Sequence, residues 1–268
     1  MVKIAGGKSV VIPTDEKTGF KITAEMLSKS LTEKTKLLIV CNPSNPTGSV
    51  YSKDEILKLS EVIEGKDIFI LSDEIYEKII YDNFEYFSFA SASKKIKERT
   101  ITINGCSKTY SMTGWRLGYA AANSEIIKAM AKYQSHNTGN TSSISQAAAL
   151  EALTGDQTFV KHIKKEFEKR RDYLHEELSS IENLICFKPS GAFYFFPNVK
   201  RFFGKTFSGK EIKNSEDLSL FLLQNGKVAT VPGTAFGLDG YIRISYSTSI
   251  ENLIEATKRI KESLSLLK

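Results

Sequence analysis

Read from the amino terminus, the apolar positions change period several times, and each change marks an element. Val10-Val11-Ile12 is a β-branched run that predicts a short strand. Residues 21–31 have helical spacing, with Thr23 placed to cap the helix. Leu37-Leu38-Ile39-Val40 is continuously apolar, the pattern of a parallel strand buried on both faces. Ser52-Lys53-Asp54-Glu55 has the form of a capping box, and Ile56, Leu59 and Ile63 behind it fall on one helix face. Ile68-Phe69-Ile70-Leu71 and Ile101-Thr102-Ile103 predict two more buried strands. Strand, helix, strand in this order implies an α/β layer with a mainly parallel sheet.

Past residue 155 the period lengthens. Phe159, Ile163, Phe167, Arg170, Leu174 and Leu178 form one stripe of a long amphipathic helix. Strand-like runs follow at 184–187, 192–196, 228–231 and 241–246. Thr248-Ser249-Ile250-Glu251 reads as a second capping box, opening a C-terminal helix with Ile250, Leu253, Ile254, Ile260 and Leu264 inward. The pattern divides the chain into a larger domain over 1–155, a connecting helix over 156–180 and a smaller α+β domain over 181–268.

Composition narrows the class. With 268 residues, 41% hydrophobic and 25% charged, the chain can build a sizeable core. The net charge of +6 is spread out. Its densest basic stretch, 161–171, also carries Glu166 and Glu168, so it reads as a solvated helix face and not as a nucleic-acid stripe. Cys41, Cys106 and Cys186 are scattered, with no Cys-x-x-Cys pair, and His136, His162 and His175 add no ligand spacing. Reduced thiols and no structural metal are expected. Without a signal-peptide core or a membrane-length apolar run, the expected setting is the cytoplasm, with no membrane partner.

Candidate chemistry sits just past the strands. Asn45 lies in Asn42-Pro43-Ser44-Asn45-Pro46-Thr47-Gly48, Asp73 in Ser72-Asp73-Glu74-Ile75-Tyr76, and Ser107 and Lys108 in Gly105-Cys106-Ser107-Lys108. Open α/β sheets bind ligands at the carboxyl ends of their strands, so an amide, a carboxylate and an amine are delivered where a ligand would sit. Taken singly, each has a plain alternative: a rigid turn, a helix cap, a surface lysine. Other motifs fail. Gly7-Lys8-Ser9 would need its first phosphate-loop glycine at Val2, and neither Gly-x-Ser-x-Gly nor a strand-following Gly-x-Gly-x-x-Gly occurs.

Together with Ser107-Lys108-Thr109-Tyr110-Ser111-Met112-Thr113-Gly114-Trp115-Arg116-Leu117-Gly118-Tyr119, Pro189-Ser190-Gly191-Ala192-Phe193-Tyr194 and Tyr241-Ile242-Arg243-Ile244-Ser245-Tyr246, these segments resemble the class I/II aminotransferases that use pyridoxal 5'-phosphate (PLP). The nearest likeness is to bacterial aspartate aminotransferases, including those that accept prephenate. The resemblance implies the fold-type I architecture and a homodimer that moves an amino group from an L-amino acid, aspartate foremost, to a 2-oxo acid such as 2-oxoglutarate. It implies that Lys108 carries the cofactor and moves the proton, and that Asp73 pairs with the ring nitrogen. Tyr76 and Asn45 would bond the ring oxygen, and Ser107 and Arg116 the phosphate. Arg243, assisted by Asn45, would grip the substrate carboxylate. The segment 137–145 is a candidate to reach a neighbouring subunit's cofactor, or else a polar loop before a helix. The resemblance also implies an incomplete large domain: roughly the first third of a family chain lies upstream of Met1, with a phosphate-binding helix N-terminus. A catalytically silent remnant, one half of a split enzyme, and a β-lyase on the same fold stand as alternatives.

Overall fold

Three parallel strands and one antiparallel strand form a sheet in the order β1 (Leu37–Cys41), β2 (Phe69–Asp73), β3 (Thr100–Gly105) and β4 (Gly118–Ala121). The computed structural model describes every residue from Met1 to Lys268. It separates into two compact units. The first comprises Met1–Asn42, Tyr51–Glu77 and Glu85–Asp156; the second comprises Pro43–Val50, Lys78–Phe84 and Gln157–Lys268. Two short excursions of the chain thus pack with the second unit although they leave from strands and turns of the first.

The first unit holds the four-stranded sheet with α1 (Ala24–Ser30), α2 (Lys53–Ile63), α3 (Lys94–Arg99), α4 (Ser124–Asn137) and α5 (Ser143–Thr154). Thr23 caps α1 by accepting the Met26 N–H, and Ser52 and Glu55 close both halves of the box on α2. Ile56, Leu59 and Ile63 bury against Leu38, Val40 and Ile70, with Leu27, Phe89 and Ile96 completing the core. Each such side chain contributes about 1.5–3 kcal/mol by leaving water.

Two expectations fail here. β1 is buried on one face only: Leu38 and Val40 lie in the core, whereas Leu37 is 41% and Ile39 51% exposed. A continuous apolar run encodes a strand with two apolar faces; it does not encode how many of them the rest of the chain covers. Val10-Val11-Ile12 forms no strand, and Val10 and Val11 are exposed. β propensity is realised only where a neighbouring edge offers a ladder.

The second unit contains α6 (Thr158–Ser179), β5 (Tyr194–Phe195), a hairpin of β6 (Thr206–Phe207) and β7 (Lys210–Glu211), α7 (Ser215–Phe221), β8 (Val231–Pro232), β9 (Ile242–Ser245) and α8 (Ile250–Ser265). β5, β9 and β8 make an antiparallel sheet in that order. The run 184–187 is reduced to one bridge, Ile185 with Asn198. On α6, Phe167, Leu174 and Leu178 are buried as expected, but the buried arginine is Arg171 and not Arg170, and Phe159 stays half exposed. Arg170 instead lies over the Phe167 ring at 5.6 Å. α8 is capped by Ser249, which accepts the Asn252 N–H, one residue later than expected. Its Leu253, Ile260 and Leu264 face inward, whereas Ile254 is half exposed.

Arg171 is fully buried and bonds both carboxylate oxygens of Asp82, at 2.6 and 2.8 Å. Hydrogen bonding from Arg171 holds the Asp82 carboxyl below its usual range, against a smaller effect of burial. The ionised form therefore stabilises the fold above the unfolded pKa, near ~3.9, and that stability is lost as pH falls through the lowered folded value. Urea titrations of Asp82→Asn and the parent chain should differ clearly at pH 7 and converge as the pH falls through the lowered folded value. A gap that persists unchanged in acid would rule out the ion pair as its source.

Candidate active site

The first unit gathers one set of groups at the carboxyl ends of β2 and β3. Asp73 closes β2, level with Cys41 on β1 and Ile103 on β3. Its Oδ1 accepts the Ile75 N–H at 3.2 Å, and its carbonyl accepts the Asn42 N–H at 2.9 Å, so both the strand end and the carboxylate are fixed. Tyr76 is buried in the turn that follows. Ser107 and Lys108 begin a turn directly after β3, closed by the Tyr110 N–H on the Cys106 carbonyl at 3.2 Å and the Ser111 N–H on the Lys108 carbonyl at 3.3 Å. Both are half-buried. Burial pushes the neighbouring Cys106 thiol up, which keeps it protonated and unreactive.

Arg116 reaches the same sheet end by register. Gly105 on β3 is paired with Gly118 on β4, so Arg116 precedes β4 as closely as Ser107 follows β3. A Cβ on Gly105 would come within 3.0 Å of the Leu117 carbonyl and 3.2 Å of Gly118 Cα, so a side chain here would press the two strands apart by a few tenths of an ångström. Arg116 is exposed, has a left-handed backbone (φ 53°) and donates from Nη1 to the Thr113 carbonyl at 2.9 Å. Beneath this end lies Glu74, absent from the sequence-based set. Its Oε1 accepts the hydroxyls of Ser72 at 2.8 Å and Ser88 at 2.6 Å, and burial raises its pKa despite them. It ties the β2 turn to the Ser88 loop. The segment 137–145 spans the end of α4, a short loop and the start of α5.

The second unit gathers a different pair. Asn45 and Arg243, 198 residues apart in sequence, meet when Arg243 Nη1 donates to Asn45 Oδ1 at 2.9 Å. The guanidinium carbon lies 4.6 Å from the Tyr194 ring centre and 5.1 Å from that of Phe236. Arg243 Nε is buried and finds no acceptor within the chain. A planar cation flanked by aromatic rings, aimed by an amide and left with an unmet donor, is built to take a carboxylate. Sequence reading missed Tyr194 and Phe236 as partners of Arg243. For Tyr194 a signal existed in its place two residues beyond Ala192 in an aromatic strand; for Phe236 there was none.

Residues 1–260 match the family model described as aminotransferase class I and II. The chain belongs to that family. Among its relatives is a probable aspartate/prephenate aminotransferase of Rickettsia typhi, 46% identical over 269 residues, covering 100% of this chain and 67% of the relative. The aspartate aminotransferase of Bacillus subtilis is 44% identical over 260 residues, covering 97% and 65%. Among solved structures, the aspartate aminotransferase from Rhizobium meliloti superposes with a TM-score of 0.95 at 44% identity, covering 100% of this chain and 67% of that one. This aminotransferase chain thus spans about two thirds of the length of the curated relatives it matches. It has the family's α/β fold, with a mixed sheet and flanking helices. No helix is long and apolar enough to cross a membrane.

Proposed function

We propose that this chain carries out PLP-dependent transamination between an L-amino acid, aspartate foremost, and a 2-oxo acid such as 2-oxoglutarate, as a cytoplasmic homodimer. The single observation that carries the reading is the Arg243 grip: a guanidinium between two rings, oriented by Asn45, with a buried donor still unmet. Every amino acid and every 2-oxo acid presents the carboxylate that such a grip binds. The names of the relatives support aspartate as the donor.

The groups at the ends of β2 and β3 fit the cofactor by their chemistry: an amine, a carboxylate held by one oxygen, a phenol, a hydroxyl and a guanidinium. When bound, PLP supplies an electron sink for the pair released at the substrate α-carbon. Asp73 would pair with the ring nitrogen and keep it protonated through the oxygen other than the one that accepts the Ile75 N–H. Ser107 and Arg116 would hold the phosphate, and Tyr76 and Asn45 the ring oxygen. Lys108 Nζ would carry the cofactor and, when released from it, take the proton from the substrate α-carbon and deliver it to the cofactor C4′.

The test is chemical. Incubation with PLP, reduction by borohydride and peptide mapping should place the added mass on Lys108, and incubation with aspartate and 2-oxoglutarate should yield oxaloacetate and glutamate. Mass added at another lysine would reassign the cofactor. No glutamate from that pair, together with cleavage of cystathionine (an amino acid with a thiolate leaving group on its β-carbon) to homocysteine, ammonia and pyruvate, would make the chain a β-lyase.

A further inference from the structure

Behind Arg243 the second unit contains a buried polar cluster that the proposed chemistry does not use. Arg171, fully buried, grips Asp82 with both Nη atoms, donates to the Pro189 carbonyl at 3.2 Å and lies 4.7 Å from the centre of the Tyr81 ring. The Tyr81 hydroxyl donates to the Ala192 carbonyl. Tyr246, also fully buried, places its hydroxyl 3.3 Å from that same carbonyl and 3.3 Å from the Tyr81 oxygen. Two tyrosines and an arginine therefore converge on the segment 189–192.

That segment links both halves of the grip. On one side, the Ser190 and Gly191 N–H groups donate to the Gly48 carbonyl at 2.9 and 2.8 Å, which anchors the turn bearing Asn45. The approach is so close that a Cβ on Gly48 (φ 68°) would collide with Pro189 and come within 2.7 Å of the Gly191 carbonyl. On the other side, Ala192 is held in the left-handed region (φ 55°), which a side chain disfavours, and the chain then runs straight into β5. There Tyr194 pairs with Ser245 on β9 and sets its ring against Arg243. The Tyr246 N–H donates to the Phe193 carbonyl at 3.0 Å, which ties the end of β9 to the same segment. A movement of Ala192 would shift the ring under Arg243 and the turn that aims it together.

We propose that Tyr81, Tyr246 and Arg171 are positioning residues for the carboxylate grip, acting through Ala192 on Tyr194 and through Gly48 on Asn45. The inference rests on reading Arg243 as that grip. The hydroxyls satisfy a carbonyl that the left-handed Ala192 turns inward, and the Arg171–Asp82 pair braces the Tyr81 ring from behind. The proposed chemistry gives none of the three a contact with substrate.

The decisive experiment pairs a ligand-free readout with a binding one. The chain with labelled arginine side chains is compared with Tyr81→Phe/Tyr246→Phe, which keeps both rings, and with Arg171→Lys. Tyr173→Phe, which removes a half-buried hydroxyl bonded to Thr257 elsewhere in the unit, controls for simple loss of stability. In the parent, the Arg243 Nε–H resonance should be displaced by the Tyr194 and Phe236 rings. In the double variant it should move toward the ordinary position, and the dissociation constant for maleate, a small dicarboxylate used as a probe of the grip, should rise roughly tenfold or more, since small misplacements of a positioning group cost that much. Tyr173→Phe should change neither. A double variant that is folded and keeps both the resonance and the maleate affinity overturns the proposal. If the resonance moves but the parent does not bind maleate, positioning stands and the reading of Arg243 as a substrate grip falls.

Discussion

Replacing Lys108 by Ala is expected to abolish transamination, with a fall in turnover on the order of 10⁴-fold or more. The backbone at this position is fixed by the turn hydrogen bonds around Cys106 and Ser111, and none of them uses the lysine side chain. Alanine fits the same turn, so the fold should survive with an unchanged circular dichroism spectrum. What disappears is the only role in the proposed chemistry that requires a basic nitrogen free to move: holding the cofactor and then carrying a proton between the α-carbon and the cofactor C4′. The measurement is the initial rate of glutamate formation from aspartate and 2-oxoglutarate at saturating PLP. Turnover within tenfold of the parent would remove Lys108 from the mechanism.

Replacing Arg243 by Lys should lower kcat/KM by about 10²–10³-fold, or about 3–4 kcal/mol of transition-state binding. The substitution keeps the charge and discards everything else. A lysine ammonium has no planar fork with which to meet Asn45 Oδ1 and a carboxylate together, and it would leave Tyr194 and Phe236 facing a flexible stem. Because the grip reads the group common to both substrates, aspartate and 2-oxoglutarate should suffer alike, and alanine as a donor should suffer with them. A loss confined to one substrate would move Arg243 from the shared carboxylate to a side-chain pocket.

How much of this was legible depends on distance along the chain. The Ser52–Glu55 box, Thr23 and the stripe Ile56, Leu59 and Ile63 could be read because both partners in each interaction lie within a turn or two of helix. Asp73 and Lys108 were legible as strand-end residues because parallel strands announce themselves as apolar runs. Where several faces compete, reading failed by one position, as with Arg170 for Arg171 and with the Ser249 cap, since neighbouring residues on a helix differ by only about 100°. Contacts made by distant segments left no local mark. Phe236 against Arg243, and Tyr81 and Tyr246 on Ala192, are set by how loops fold back, and no spacing rule contains them.

The exposed face of β1 has a practical corollary for anyone preparing this protein. Leu37 and Ile39 on β1 present apolar surface to solvent while the opposite face of the same strand is sealed in a close-packed core. Fluorescent dyes such as ANS report apolar surface and are commonly taken as a sign of loosened packing. Here the folded chain itself offers such surface at Leu37 and Ile39, so a preparation should be judged by its near-ultraviolet circular dichroism and the sharpness of its unfolding transition, and not discarded for an ANS signal alone.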